Sequence, residues 1–119
     1  MPGEALRGRR VLIVEDNYLM AMGLAAVLKQ AGAFVAGPVA NIREALALLD
    51  PLPDCASLDV QLGKETSFPI ADELAARGVP FLFCTGTTVD IPARHRIRPV
   101  CSKPFRPRNL LDGLASLLA

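Results

Sequence analysis

Three carboxylates stand where apolar runs stop: Glu15 and Asp16 directly follow Val11-Leu12-Ile13-Val14, and Asp59 lies near the end of Cys55-Ala56-Ser57-Leu58-Asp59-Val60. A short apolar run bounded by turn signals reads as a buried strand, so acids at its end sit at the rim of a sheet. Two such strands side by side make a concave anionic pocket, and such a pocket suits a divalent cation. Two further runs end in groups suited to phosphate. Thr85 follows Val79-Pro80-Phe81-Leu82-Phe83-Cys84, and Lys103 follows Val100-Cys101-Ser102. Together these residue types point to phosphoryl transfer onto a carboxylate.

The five residues converge only if the strands run parallel and end at one edge, and the rest of the chain is patterned for that. Strand and helix alternate five times. Val11 to Glu15 reads as the first strand; Asn17 caps a helix with Leu19, Met22, Ala26 and Leu28 at helical spacing, stopped at Gly32. Ala33 to Ala36 is a short strand, and Asn41 with Glu44 resembles a capping box opening a helix through Ala45, Leu46, Leu48 and Leu49, ended by Pro51 and Pro53. Cys55 to Val60 is the third strand, and Pro69 opens a helix through Ile70, Leu74 and Ala75 to Gly78. Phe81 to Cys84 is the fourth. Thr87 to Arg96 holds Pro92 and few apolar residues at a helical period, so a short or irregular element is expected there. Val100 to Ser102 is the fifth strand, and Pro107 opens a last helix with Leu110, Leu111, Leu114, Leu117 and Leu118 along one stripe. Parallel crossovers need covering helices, which predicts a doubly wound α/β fold of three layers with its ligand edge at the carboxyl ends of the strands.

Composition bounds the function. At 119 residues the chain suits one domain, expected over 10–119 behind a flexible tail over 1–9. The 51% hydrophobic and 21% charged content is that of a globular protein, and no apolar run approaches the roughly 18 residues that cross a bilayer. The arginines of the first ten residues are not followed by a secretory apolar core, so a cytoplasmic address is expected, without a membrane partner. Cys55, Cys84 and Cys101 have neither metal-site spacing nor an even count, and read as reduced core residues. A net charge of +1 gives no global pull toward nucleic acid, and Arg94, His95, Arg96 and Arg98 read as a solvated basic loop.

In acid pair, central aspartate, Thr and Lys-Pro, taken in this order on these strands, the chain resembles the receiver domain of two-component response regulators. The likeness runs from Val11 to the last helix. It implies a CheY-like, flavodoxin-like sheet of order 2-1-3-4-5 and a phosphorelay role in which Asp59 is the phosphoacceptor, charged by a histidine kinase or histidine phosphotransfer protein. It further implies Mg²⁺, with Asp16, Asp59 and the backbone carbonyl of Gln61 as ligands and Glu15 acting through water. Lys103 would reach the phosphoryl oxygens, with a cis bond to Pro104, and Thr85 would donate its hydroxyl. Tyr18, Met20, Gly23, Pro104 and Phe105 resemble the family's kinase-docking surface.

Two departures stand out. Val100 occupies the position where many receivers carry a switching aromatic, and Phe83-Cys84-Thr85-Gly86 resembles the subgroup whose fourth strand reads Phe-Ala-Thr-Gly, which has a reduced fourth helix. A monomer is therefore expected. No length remains for an output domain, so signalling by protein contact is expected, with no enzyme activity beyond self-phosphorylation and autodephosphorylation. Two rivals are a small aspartyl-phosphate hydrolase of the haloacid dehalogenase type and a phosphorylation-independent binding module. The hydrolase places a second acid two residues after the first-strand nucleophile, where this chain has Tyr18.

Overall fold

Strand and helix alternate along the chain as the apolar periodicity predicts. The structure, a computed structural model, describes residues 2–86 and 90–119. In chain order the elements are α1 (Pro2–Leu6), β1 (Arg10–Val14), α2 (Tyr18–Gln30), β2 (Phe34–Val39), α3 (Ile42–Ala47), β3 (Cys55–Asp59), β4 (Gln61–Leu62), β5 (Glu65–Thr66), α4 (Phe68–Ala76), β6 (Phe81–Thr85), β7 (Val100–Ser102) and α5 (Pro107–Leu117), with a 3₁₀ turn at Ala93–His95. Five strands form one sheet in the order β2-β1-β3-β6-β7, and every neighbouring pair is parallel. With the small β4/β5 hairpin set aside, this is the expected order 2-1-3-4-5.

Successive strand side chains point to opposite faces, which divides the core in two. Leu12, Val14, Ala56, Leu58, Phe81 and Phe83 face α3 and α4. Val11, Ile13, Cys55, Leu82 and Cys84 face the other way, onto Leu24 and Leu28 of α2 and Leu110 and Leu114 of α5. A sheet covered on both faces explains why β1 is a continuous apolar run rather than an alternating one. Beside it, Gly37 takes φ +94 where β2 shifts register. A Cβ there would stand 2.8 Å from the Val39 nitrogen, so only glycine fits.

The caps follow the sequence reading. The Asn17 side chain accepts from the Met20 amide at 3.0 Å and that of Asn41 from the Glu44 amide at 2.9 Å. Other expectations are corrected. Residues 1–9, expected as a flexible tail, carry α1, whose Leu6 is fully buried among the α2 and α5 leucines; one large apolar side chain within reach of an open core edge is enough to dock the segment. On α2 the buried residues are Ala21, Leu24, Ala25 and Leu28, whereas Leu19 is 81% exposed and Met22 45%. Two alanines in the contact stripe let the helix lie close on the sheet. On α3 and α4, Leu46 and Ala75 likewise face solvent. α3 ends at Ala47, before the prolines expected to stop it.

The weak segment is irregular as expected: the 3₁₀ turn is the only helical element described between β6 and β7, with residues 87–89 outside the described residues. The basic run there is not a solvated loop. Arg94 makes two hydrogen bonds to Asp72 of α4, at 2.7 and 3.1 Å, and the Nε2 of His95 lies 2.7 Å from the same carboxylate. His95 is 2% exposed and sets its ring edge-on to Phe81 and Phe83, while the Arg98 guanidinium lies over Phe81 at 4.4 Å. Charge and aromatic contact thus hold down a segment that has no helix of its own.

Candidate functional site

The carboxyl ends of β1, β3, β6 and β7 deliver the expected residues to one edge. Glu15 and Asp16 follow β1, Asp59 ends β3, Thr85 ends β6, and Lys103 follows β7. Parallel pairing sets their relative height. Val14 is in register with Leu58, Asp59 with Cys84, and Thr85 with Ser102. The Lys103 amide donates to the Thr85 carbonyl at 2.8 Å, continuing the ladder one residue past the strand, and the Lys103–Pro104 bond is cis.

Glu15 and Asp59 are buried polar groups, at 5% and 6% exposure, and Asp16 is exposed. One oxygen from each lies within 4.8 Å of the others. The Lys103 ammonium bonds both oxygens of Glu15, at 2.8 and 3.2 Å, and stands 3.3 Å from Asp59. Burial first, and then the neighbouring Glu15, push the Asp59 carboxyl from 3.8 up to about 8; Lys103 acts against them. Burial also disfavours the Lys103 charge, but Glu15 and Asp59 outweigh it and hold the ammonium above its ordinary value. Such a pocket gains when more positive charge enters it.

The donor set is oxygen only, which fits a hard divalent ion such as Mg²⁺ and not a thiophilic one. Asp16 and Asp59 are the carboxylates open to it. Asp16 is steadied by the Gly63 amide, which donates to it at 3.1 Å. Glu15, expected to act through water, is engaged as the counter-ion of Lys103. Gln61 turns its side-chain amide toward the carbonyls of Gly63 and Glu65, at 2.8 and 3.2 Å. These bonds lie within the antiparallel β4/β5 hairpin, which positions Gly63 at φ +61.

The docking residues separate. Tyr18, at 73%, and Pro104 are exposed, whereas Met20 and Phe105 are half-buried against the core. A Cβ on Gly23 would touch nothing within 4 Å, so the fold itself does not require glycine there. Leu19 and Met22, which stand at helical spacing in the sequence, join Tyr18 on the outer surface of α2. A groove of about 360 Å³ runs beside them, lined by Glu15, Asp16, Tyr18, Met22, Pro38 and Glu44 among others.

Comparison with known proteins agrees with this geometry. The sequence profile of the response regulator receiver domain matches residues 11–115. The chain is 33% identical over 112 residues to the transcriptional regulatory protein PdtaR of Mycobacterium tuberculosis, covering 92% of this chain and 55% of that protein, so it spans about half the length of that relative. It is 27% identical over 114 residues to the chemotaxis protein CheY of Thermotoga maritima, covering 90% and 95%. The solution structure of SdrG from Sphingomonas melonis Fr1 superposes with a TM-score of 0.79 at 42% identity, over 97% of this chain and 98% of that one. The chain belongs to the response regulator receiver domain family.

Proposed function

We propose that this protein is a Mg²⁺-dependent phosphoacceptor. Asp59 takes a phosphoryl group from a phosphohistidine of a histidine kinase or phosphotransfer protein, and the output is a protein contact rather than an enzyme activity. The observation that carries this reading is the placement of the Asp59 carboxylate at the end of β3, between the β1 acids and the Lys103 ammonium 3.3 Å away. Asp16, Asp59 and the Gln61 carbonyl would hold the metal, whose charge when bound keeps the neighbouring carboxylates ionised. A carboxylate oxygen of Asp59 attacks phosphorus, the P–N bond to the donor imidazole breaks, and an acyl phosphate forms. Lys103 offers its ammonium to the phosphoryl oxygens, and the hydroxyl of Thr85 donates to another. Glu15, by holding Lys103, keeps that ammonium at the pocket before the phosphoryl group arrives.

The exposed Tyr18, Leu19 and Met22, beside the groove at Asp16, suit an apolar partner helix that brings its phosphohistidine over Asp59. Three free thiols, at Cys55, Cys84 and Cys101, suit a reducing compartment, and among the described residues no helix is long and apolar enough to cross a membrane. We place the protein in the cytoplasm on that basis. Incubation with Mg²⁺ and acetyl phosphate, followed by intact-mass measurement, tests the assignment. The expected result is one phosphoryl adduct, absent with EDTA and absent in Asp59→Asn. An adduct that persists in Asp59→Asn overturns it.

A further inference from the structure

Two of the three cysteines stand side by side, one strand position short of the site edge. Cys84 of β6 and Cys101 of β7 are register partners on neighbouring parallel strands. Partners in register present their side chains to the same face, about 5 Å apart, which is within the Cα separation that a disulfide spans. Both thiols pack on the α5 side of the sheet. The Cys84 thiol is a hydrogen-bond partner of Cys101 and lies 3.4 Å from the Ser57 hydroxyl. Cys84 is 3% exposed, whereas Cys101 is half-buried and within reach of solvent. The third thiol is out of range: Cys55 begins β3, and Asp59, the register partner of Cys84, ends it about 13 Å away.

A crosslink between these two residues would fall where the sheet is least supported. β7 has three residues, lies at the end of the sheet and has one neighbour, β6. The pairing of the two strands is bracketed by the Phe83 amide, which donates to the Pro99 carbonyl at 3.0 Å, and the Lys103 amide, which donates to the Thr85 carbonyl at 2.8 Å. Cys101 is midway between Pro99 and Lys103. A short edge strand opens locally more easily than the buried centre of a sheet, and the placement of β7 sets that of Lys103.

We propose that Cys84 and Cys101 form a redox site, oxidised by peroxide to a disulfide that clamps β7 to β6 in the register that carries Lys103. The Cys101 thiolate attacks one peroxide oxygen, the O–O bond breaks, and the departing hydroxide takes up the thiol proton as water, leaving a sulfenic acid on Cys101. The Cys84 sulfur then attacks that of Cys101; the S–O bond breaks, and hydroxide leaves with the Cys84 proton as a second water. Two thiols are oxidised as one hydrogen peroxide is reduced, and thiol–disulfide exchange with a small dithiol restores both. Burial raises both thiols, Cys84 to about 12, and at Cys101 the hydrogen bond from Cys84 works against it. Cys101, the more open of the two, is accordingly the attacking group, and the reaction answers sustained rather than brief exposure to oxidant. A transient disulfide of this kind is compatible with a reducing compartment. The crosslink does not need a phosphoryl group on Asp59, so this inference stands or falls apart from the phosphoacceptor reading.

Exposure of the reduced full chain to millimolar hydrogen peroxide, followed by alkylation in denaturant, intact-mass measurement and peptide mapping, tests it. The expected product is a single chain with Cys84 joined to Cys101 and Cys55 alkylated. Cys101→Ser, at the half-buried position, abolishes the crosslink. Amide exchange at Phe83 and Lys103 is expected to slow at least about tenfold on oxidation and to recover with dithiothreitol. The proposal is overturned by three thiols that all remain alkylatable, by oxidation that stops at a Cys101 sulfinic acid, by a crosslink to Cys55 or between two chains, or by a Cys84–Cys101 crosslink that leaves both exchange rates unchanged.

Discussion

Replacing Asp59 by Asn removes the acid whose ionisation the fold opposes, with almost no change of shape. In the native state its carboxyl is held at about 8, against 3.8 for the free group, by burial and by Glu15. Below about pH 4 both folded and unfolded chains hold the proton, and the residue contributes nothing to stability. As pH rises from there, the unfolded chain releases its proton while the native chain keeps it, so stability falls until about pH 8 and is level beyond. Each pH unit costs about 1.4 kcal/mol, which sets a ceiling of about 6 kcal/mol. Solvent at the rim of the pocket reduces this to about 2 kcal/mol. The amide that replaces the carboxyl in the variant does not titrate and carries none of this cost. In EDTA at pH 8 the variant is therefore expected to melt about 6–10 °C above the wild type, with the gap closing toward pH 4. Urea or thermal denaturation across that range measures it. A variant no more stable than the wild type at pH 8, or an advantage undiminished at pH 4, refutes the reasoning.

Mg²⁺ at about ten times its dissociation constant should stabilise the wild type by about 1.4 kcal/mol and leave Asp16→Asn unmoved, read as the shift in Tm on adding the ion. Lys103→Met strands the buried Glu15 beside Asp59 and should cost about 3 kcal/mol in urea denaturation at pH 8. The wild-type ammonium is held above its ordinary value, so its contribution is complete below that range and lost as pH climbs through the raised value. Asp72→Asn should speed amide exchange across residues 93–98. Arg94 first, and His95 with it, hold the Asp72 carboxyl below its usual range, so this protection is present above that range and is lost as pH falls through the lowered value.

The gathering of the candidate site at one sheet edge was legible because its residues are marked by context: acids, a threonine and a lysine each break an apolar run, and four such breaks order themselves along the chain. The strands were legible for the same reason. What could not be read was which side of an element faces inward. Tyr18 to Gln30 is apolar nearly all round, so a helical period alone admits several stripes. The choice of Ala21, Leu24, Ala25 and Leu28 belongs to the sheet and α5, against which that stripe packs most closely. Spacing alone does not say whether Leu19 and Met22 face inward, and their exposure makes them part of the surface beside the groove. The β4/β5 hairpin left a fainter signal, Gly63-Lys64 between two short polar pairs, and with it the Gly63 amide that steadies Asp16 went unread.

By itself the sequence determined the α/β alternation, the parallel sheet and which residues are candidates for the site, because these depend on local periodicity and on where polar groups interrupt it. Tertiary structure decided the pairings. Glu15 lies 88 residues from Lys103 and Asp72 lies 23 from His95, and no local pattern reports that a carboxylate will meet one cation rather than another. Burial then gives those meetings their consequence: in the low dielectric of the pocket, Glu15 becomes the partner of Lys103, and the carboxyl of Asp59 resists ionising until charge arrives.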